Sequence, residues 1–186
     1  MKRIFDLFLS LTITFVLWWL ILTIAFLVKT TSVGPILYWS NRVGKNNILF
    51  KMPKFRTMNI NTPAVATNHL KNPSQHLTPI GPFLRKTSLD EIPQLWSILI
   101  GDMSFVGPRP ALFNQYGLIK LRASKMIDHL TPGLTGWAQV NGRDDLSIQK
   151  KVYFDKEYLN KKSFMFDLRI LYLTVIKIIQ RDGIKH

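Results

Sequence analysis

Asp90 and Glu91 are adjacent carboxylates in the stretch TSLDEIPQL, just ahead of Pro93. The chain around them is strongly basic, with 25 Lys and Arg against 11 Asp and Glu and a net charge of +14. Cations recur in the flanking segments: Lys54 and Arg56 in KFRTM, Arg85 and Lys86 just before the pair, Arg109 between two prolines, and Arg143 after Asn141-Gly142. A carboxylate among such cations is held ionised at neutral pH, which suits a nucleophile or a metal ligand. Neighbours on one helical turn diverge by about 100°, so the two acids are not arranged to flank one bond as a glycosidase pair does. They are suited to divided labour, one attacking while the other orients or helps to hold a metal. The plainer reading is that Asp90 only caps a helix.

Pro93 bears on that reading. A proline costs nothing in the first turn of a helix and about 3 kcal/mol deeper inside. With Asp90 as N-cap of a helix over Glu91–Ile100, ended by Gly101, Pro93 falls at the third helical position. A second fit, Ser88 as cap with Glu91 as its capping-box partner, sets Pro93 one turn too deep. A helix N-terminus also attracts phosphate. Arg109 has its backbone stiffened by Pro108 and Pro110, which favours a two-toothed grip on a phosphate. Arg143 follows a defined turn.

Other chemistries are excluded or unsupported. There is no cysteine, hence no disulfide, thiol nucleophile or Cys-based zinc site. His69, His76, His129 and His186 show no ligand spacing. No P-loop, dinucleotide fingerprint or nucleophile elbow is present. The basic surface seeks an anion: nucleic acid, anionic lipid or a phosphorylated substrate.

The N-terminus narrows this choice. Leu7–Val28 is a run of 22 residues without a charge, enough to cross a bilayer core of roughly 30 Å. It is too long for a signal peptide and lacks a small-residue cleavage pattern. Lys2 and Arg3 precede it and Lys29, Arg42 and Lys45 follow. Both flanks are therefore of the cytoplasmic kind, and the run is expected to enter the membrane and return, with both ends on one side. A spanning helix is the alternative. Two regions follow: a membrane-inserted helix over 1–30 and a cytoplasmic catalytic domain over 31–186.

The rest of the chain predicts an α+β domain, mostly helical and membrane-associated, with a short β-hairpin and amphipathic interfacial helices. Ile36–Asn41 and Ile48–Phe50 are expected as strands about a Gly44–Asn47 turn. Residues 59–82, rich in Pro, Asn and Thr, are expected as a long loop. Residues 111–129 carry apolar and basic positions at helical spacing. Helices are expected over Leu146–Asn160 and Met165–Arg181, the latter turning Asp167, Arg169, Lys177 and Arg181 outward.

The segments KFRTM, RKTSLDEIPQLWSILIGDMSFVGPRP and TPGLTGWAQVNGR together resemble the bacterial sugar transferases, the monotopic phosphoglycosyl transferases, over nearly the whole chain and in order. The chain looks like the minimal catalytic form of that family. The resemblance implies transfer of a sugar-1-phosphate from a UDP-sugar to a polyprenol phosphate such as undecaprenyl phosphate, with release of UMP and a need for Mg²⁺. It implies Asp90 as nucleophile, forming an aspartyl phosphosugar, with Glu91 as its partner and both near the metal. It also implies substrate-binding roles for Lys54, Arg56, Arg85, Arg109 and Arg143. Asp155 matches an acid in relatives, with a substrate-side role or a pairing to an arginine. The implied setting is the cytoplasmic face of a bacterial inner membrane, in contact with lipid and without nucleic acid; a homo-oligomer is compatible with it. Short relatives have a Ser-Pro break within the membrane helix, whereas this run has Ser10, Thr12 and Thr14 but no proline. A non-catalytic, membrane-anchored basic module would explain the charge and the anchor, but not the ordered Asp-Glu, PRP and NGR blocks.

Overall fold

The computed structural model describes residues 1–63, 73–142 and 145–180. The architecture is α+β. A long apolar helix, α1 (Lys2–Thr31), is followed by strands β1 (Leu37–Val43) and β2 (Leu49–Phe55). Helix α2 (Gly81–Thr87) leads into a 3-10 helix (Leu89–Gln94) and α3 (Leu95–Ile100). Then come β3 (Ser104–Val106), β4 (Ala111–Leu112), α4 (Tyr116–Ala123), β5 (Gly133–Thr135) and the short α5 (Trp137–Val140). Helices α6 (Ile148–Lys161) and α7 (Phe164–Gln180) complete it.

The hairpin is present and longer than its apolar pattern suggests. β1 and β2 pair antiparallel from Leu37↔Phe55 to Val43↔Leu49, and β4 joins the other side of β1. β2 is thus an edge strand, the place where Pro53 can sit without breaking a ladder. Asn46 and Asn47 take left-handed φ values of 55° and 60°, which asparagine tolerates. The 59–82 stretch holds a 3-10 helix over Pro73–His76 and a bridge between Met58 and Leu77; its residues 64–72 lie outside those described. Over 111–129 the helical spacing produces α4 and a 3-10 turn over Ile127–His129, parted by the left-handed Met126 at φ 61°. Arg181 also lies outside the described residues.

The helix after the acid pair differs from the expectation. Asp90 is not the cap of an α-helix. Ser88, at φ 56°, precedes the 3-10 helix, and α-helical geometry begins only at Leu95. Pro93 lacks the N–H that would bond back to Leu89, so the turn containing the acids tightens instead.

Helix α1 lies along the domain rather than apart from it. At its start, Lys2 Nζ donates to Val106 O (2.8 Å), Tyr158 Oη (2.9 Å) and Asp167 Oδ2 (2.7 Å). Arg3 donates to the carbonyls of Ile98 and Leu99 at the end of α3, and Asp6 accepts from the Phe105 amide at 3.2 Å. Near its other end, Ile24 and Val28 are buried with Phe55 and Leu84. Ser10 and Thr12 bond back to preceding carbonyls, yet the helix is unbroken. Its outer face exposes Phe8, Phe15, Trp18, Trp19 and Phe26. Among the described residues it is the one helix long and apolar enough to cross a membrane.

Asp167 is accordingly buried rather than outward, held by Lys2 and Tyr158. Burial and the neighbouring Asp167 push the Tyr158 hydroxyl above its ordinary range, so it stays a donor to that carboxylate. Removing one partner of a buried ion pair costs about 3–5 kcal/mol, less where one partner is partly exposed as Lys2 is. Lys2→Met is expected to lower the melting temperature by roughly 4–10 °C, and adding Asp167→Asn should recover part of the loss. An unchanged melting curve in detergent would contradict the pinning of α1 by this pair.

Candidate active site

Four segments converge on the acid pair. β2 delivers Lys54. The last turn of α2 carries Arg85 and Lys86, and the left-handed Ser88 turns the chain so that the 3-10 helix presents Asp90 and Glu91. The loop after β3 carries Gly107-Pro108-Arg109. β5, parallel to β3 with Ser104↔Gly133 and Val106↔Thr135, backs that loop. This backing requires glycine: a Cβ at Gly133 or at Gly136 would collide with the backbone of Gly107. The short apolar strands and the glycines of TPGLTGW thus serve to hold Arg109's loop in place.

The two acids are treated differently. Glu91 Oε1 accepts from Lys54 Nζ at 2.7 Å and from Arg109 Nη2 at 2.6 Å, and Oε2 lies 3.5 Å from Arg109 Nη1. Asp90 Oδ2 lies 3.7 Å from Lys54 Nζ, an ion pair beyond hydrogen-bond length. Asp90 is buried, and the Glu91 side chain is 13% exposed. Burial pushes Glu91 upward, but the charges and hydrogen bonds of Arg109 and Lys54 overcome it and hold Glu91 well below the usual carboxylate range. For Asp90 burial wins: aided by the charge of Glu91, it outweighs Lys54, Arg85 and Arg109 and lifts the carboxyl above the ordinary aspartate value. Glu91 is the structural anion of the cluster. Among the described residues Asp90 keeps its carboxylate out of short hydrogen bonds, the state that suits a nucleophile.

Arg109 is positioned from behind. Its carbonyl accepts from Arg122 Nη1 at 2.8 Å. Arg122 in turn holds Asp155 Oδ2 through Nε (2.9 Å) and Nη2 (2.7 Å). Arg42 donates to the neighbouring Pro110 carbonyl at 3.2 Å, and burial together with the Arg109 charge draws it down to about 10.

The structure therefore sorts the residues singled out in the sequence. Lys54, Asp90, Glu91 and Arg109 meet at one point, and Arg85 lies near enough for its charge to act on Asp90 while packing on Met58. Asp155 pairs with Arg122 and works through it; burial raises its carboxyl even against the Arg122 charge. Arg56 is directed elsewhere, donating through Nη2 to the carbonyl and hydroxyl of Ser32 beyond the end of α1. Arg143 lies outside the described residues. Arg42 and Arg122 are the members that the sequence reading left out of the site. Their partners lie 68 and 13 residues away, and no local spacing marks them.

Mg²⁺ in phosphoryl-transfer sites is held by one or two carboxylates completed by substrate phosphates. Two adjacent acids, one with an oxygen outside any short hydrogen bond, fit that mode. A cage made by protein alone would need more ligands, and the described residues contain no group of three His, Asp or Glu placed for it.

A family of proteins described as bacterial sugar transferases matches residues 1–181. The UDP-glucose:undecaprenyl-phosphate glucose-1-phosphate transferase of Escherichia coli K12 is 39% identical over 185 residues, covering 95% of this chain and 40% of that protein. The UDP-galactose-lipid carrier transferase of Erwinia amylovora is 37% identical over 202 residues, covering 98% and 41%. The exopolysaccharide production protein ExoY of Sinorhizobium fredii is 37% identical over 189 residues, covering 94% and 83%. The chain thus spans about two fifths of the length of the first two relatives and most of the third.

Proposed function

Because this chain belongs to the bacterial sugar transferase family, we propose that it transfers a sugar-1-phosphate from a UDP-sugar to a polyprenol phosphate and releases UMP. The carrying observation is the division of the dyad: Glu91 takes the cations, while Asp90 is buried beside them with its carboxylate outside short hydrogen bonds. In the first step an Asp90 oxygen attacks the sugar-linked phosphorus. The bond to the bridging oxygen breaks, and UMP departs with that electron pair. In the second step an oxygen of the polyprenol phosphate attacks the same phosphorus, and the Asp90 carboxylate leaves unchanged. The acceptor is already an anion, so no strong general base is required. Lys54, Arg109 and Arg85 provide fixed positive charge around the transferring group, the main contribution a protein makes to such transfers. Mg²⁺, held by Asp90 and Glu91 together with the diphosphate, would supply further neutralisation of phosphoryl charge.

The topology supports a site at a membrane surface. Lys2 and Arg3 at one end of α1 and Val28 near the other are packed on the same domain. A helix so held cannot carry its N-terminus across a bilayer, so α1 is read as entering one leaflet with both ends on the cytoplasmic side of the inner membrane. A cysteine inserted after Met1 should label with an impermeant thiol reagent only when the cytoplasmic side is opened. Labelling from the periplasmic side of intact inner membranes would overturn this arrangement.

The activity is tested by incubating purified protein with a panel of UDP-sugars, Mg²⁺ and undecaprenyl phosphate while measuring UMP. Multiple-turnover UMP formation dependent on both substrates, abolished by EDTA and restored by Mg²⁺, is the expected result. No UMP with any sugar would favour a non-catalytic basic module, and activity indifferent to EDTA would remove the metal.

A further inference from the structure

An apolar cavity of about 280 Å³ opens beside the dyad and shares Glu91 and Arg109 with it. Its wall is formed by Ile13 of α1, Leu95 of α3, Leu134 of β5 and Leu171 and Ile178 of α7. Gln139 of α5 also lines it, and both polar atoms of that amide are buried with no hydrogen-bond partner among the described residues. A buried amide left unpaired is costly, so a group retained in that state within a cavity points to a ligand that completes it.

Resting on the reading above, we propose that this cavity seats the first isoprene units of the lipid acceptor and that the Gln139 amide donates to its phosphate end. Three observations select this occupant. The wall is mostly apolar, so sugar or base hydroxyls and amides placed there would find few partners, whereas an isoprenoid gains from burial. Beside Glu91, Arg109, Gln139 and Lys177, the polar lining is Ser88 and the hydroxyls of Thr135 and Thr174, which bond to each other, and the two cations suit the phosphate at one end of an otherwise apolar molecule. Finally, α1 and α7 both carry apolar side chains facing outward, among them Phe15 and Val16 on one and Val175 and Ile178 on the other. A lipid can therefore reach the cavity sideways from the bilayer without crossing water.

The absence of cysteine supplies a direct test. A single cysteine replaces Leu134 in the wall, with Leu171→Cys as the second position should Leu134→Cys fold poorly, and Tyr153→Cys on the exposed side of α6 as control. Maleimide labelling is followed in nanodiscs with undecaprenyl phosphate, with undecaprenol, or with UDP-glucose alone. Undecaprenyl phosphate is expected to slow labelling of the wall at least fivefold and to leave position 153 unchanged; undecaprenol should protect less. Gln139→Leu should raise the KM for undecaprenyl phosphate about tenfold while leaving the KM for UDP-sugar unchanged. Protection by UDP-glucose but not by the lipid, no protection by either, or a change confined to the donor KM would each overturn the assignment. Wild-type protein that binds the lipid in this test but forms no UMP would instead refute the proposed reaction, so the two failures are distinguishable.

Discussion

Asp90→Asn is expected to reduce turnover by at least about a thousandfold, the scale seen when a covalent nucleophile is lost, while the protein remains folded and membrane-bound. The amide keeps the size of the side chain but does not attack phosphorus. The same substitution should leave the melting temperature unchanged or raise it. The Asp90 carboxyl has its pKa raised in the folded state, first by burial, so its ionisation above that pKa costs folding free energy, and a neutral amide removes the cost. Glu91→Gln is the contrasting case. Glu91 is depressed by Arg109 and Lys54, so its contribution to stability is present above its unfolded pKa and lost as pH falls through its folded value. Glu91→Gln should therefore lower stability at neutral pH. The acid limb of kcat/KM should lie above the ordinary aspartate value and move to higher pH in Lys54→Met, since removing a cation disfavours the anion. A fully active Asp90→Asn enzyme, or an acid limb unmoved by Lys54→Met, would contradict these roles.

Arg109→Ala carries the second large effect. It removes the guanidinium that lies 2.6 Å from Glu91 Oε1, and with it the cation proposed to grip the transferring phosphate. A charge-assisted contact of about 1.5–3 kcal/mol corresponds to a loss in kcat/KM for UDP-sugar of at least about tenfold. Arg109→Lys should recover only part, because an ammonium lacks the planar fork. Asp155→Asn gives a useful comparison. It acts only through Arg122 on the Arg109 carbonyl, so it should show a smaller loss of the same character. Unchanged kinetics in Arg109→Ala, measured across a range of UDP-sugar concentrations, would mean that this arginine serves Glu91 alone.

The parts legible in the sequence were those with strong local signals. The uncharged run gave α1, the turn residues Gly44–Asn47 between two short apolar stretches gave the hairpin, and the 3.6-residue periodicity gave α6 and α7 within one or two residues. The acid pair and Arg109 stood out because a proline or an opposite charge lay beside them. What remained hidden depends on distant contacts. β3 and β5 are three residues each, too short for any period to register, and they exist because glycines allow their backbones to approach. Lys2 and Arg3 read as topological charges, yet they are pins whose partners, Asp167 and the end of α3, lie far along the chain. Asp167 was placed outward for the same reason: helical spacing locates a face but not the cation that comes to it. The position of Asp90 was misjudged because Pro93 fits the first turn of an α-helix and also tolerates a 3-10 turn; only the left-handed Ser88 separates the two.

The most direct test of the central claim is the intact mass of the protein after incubation with UDP-sugar and Mg²⁺ in the absence of lipid acceptor. The account predicts that wild-type protein gains the mass of one phosphosugar, mapped to Asp90 and lost again when undecaprenyl phosphate is added, while Asp90→Asn gains nothing. An unmodified wild-type protein that nonetheless releases UMP once the lipid is present would contradict the covalent route and point to direct attack by the acceptor.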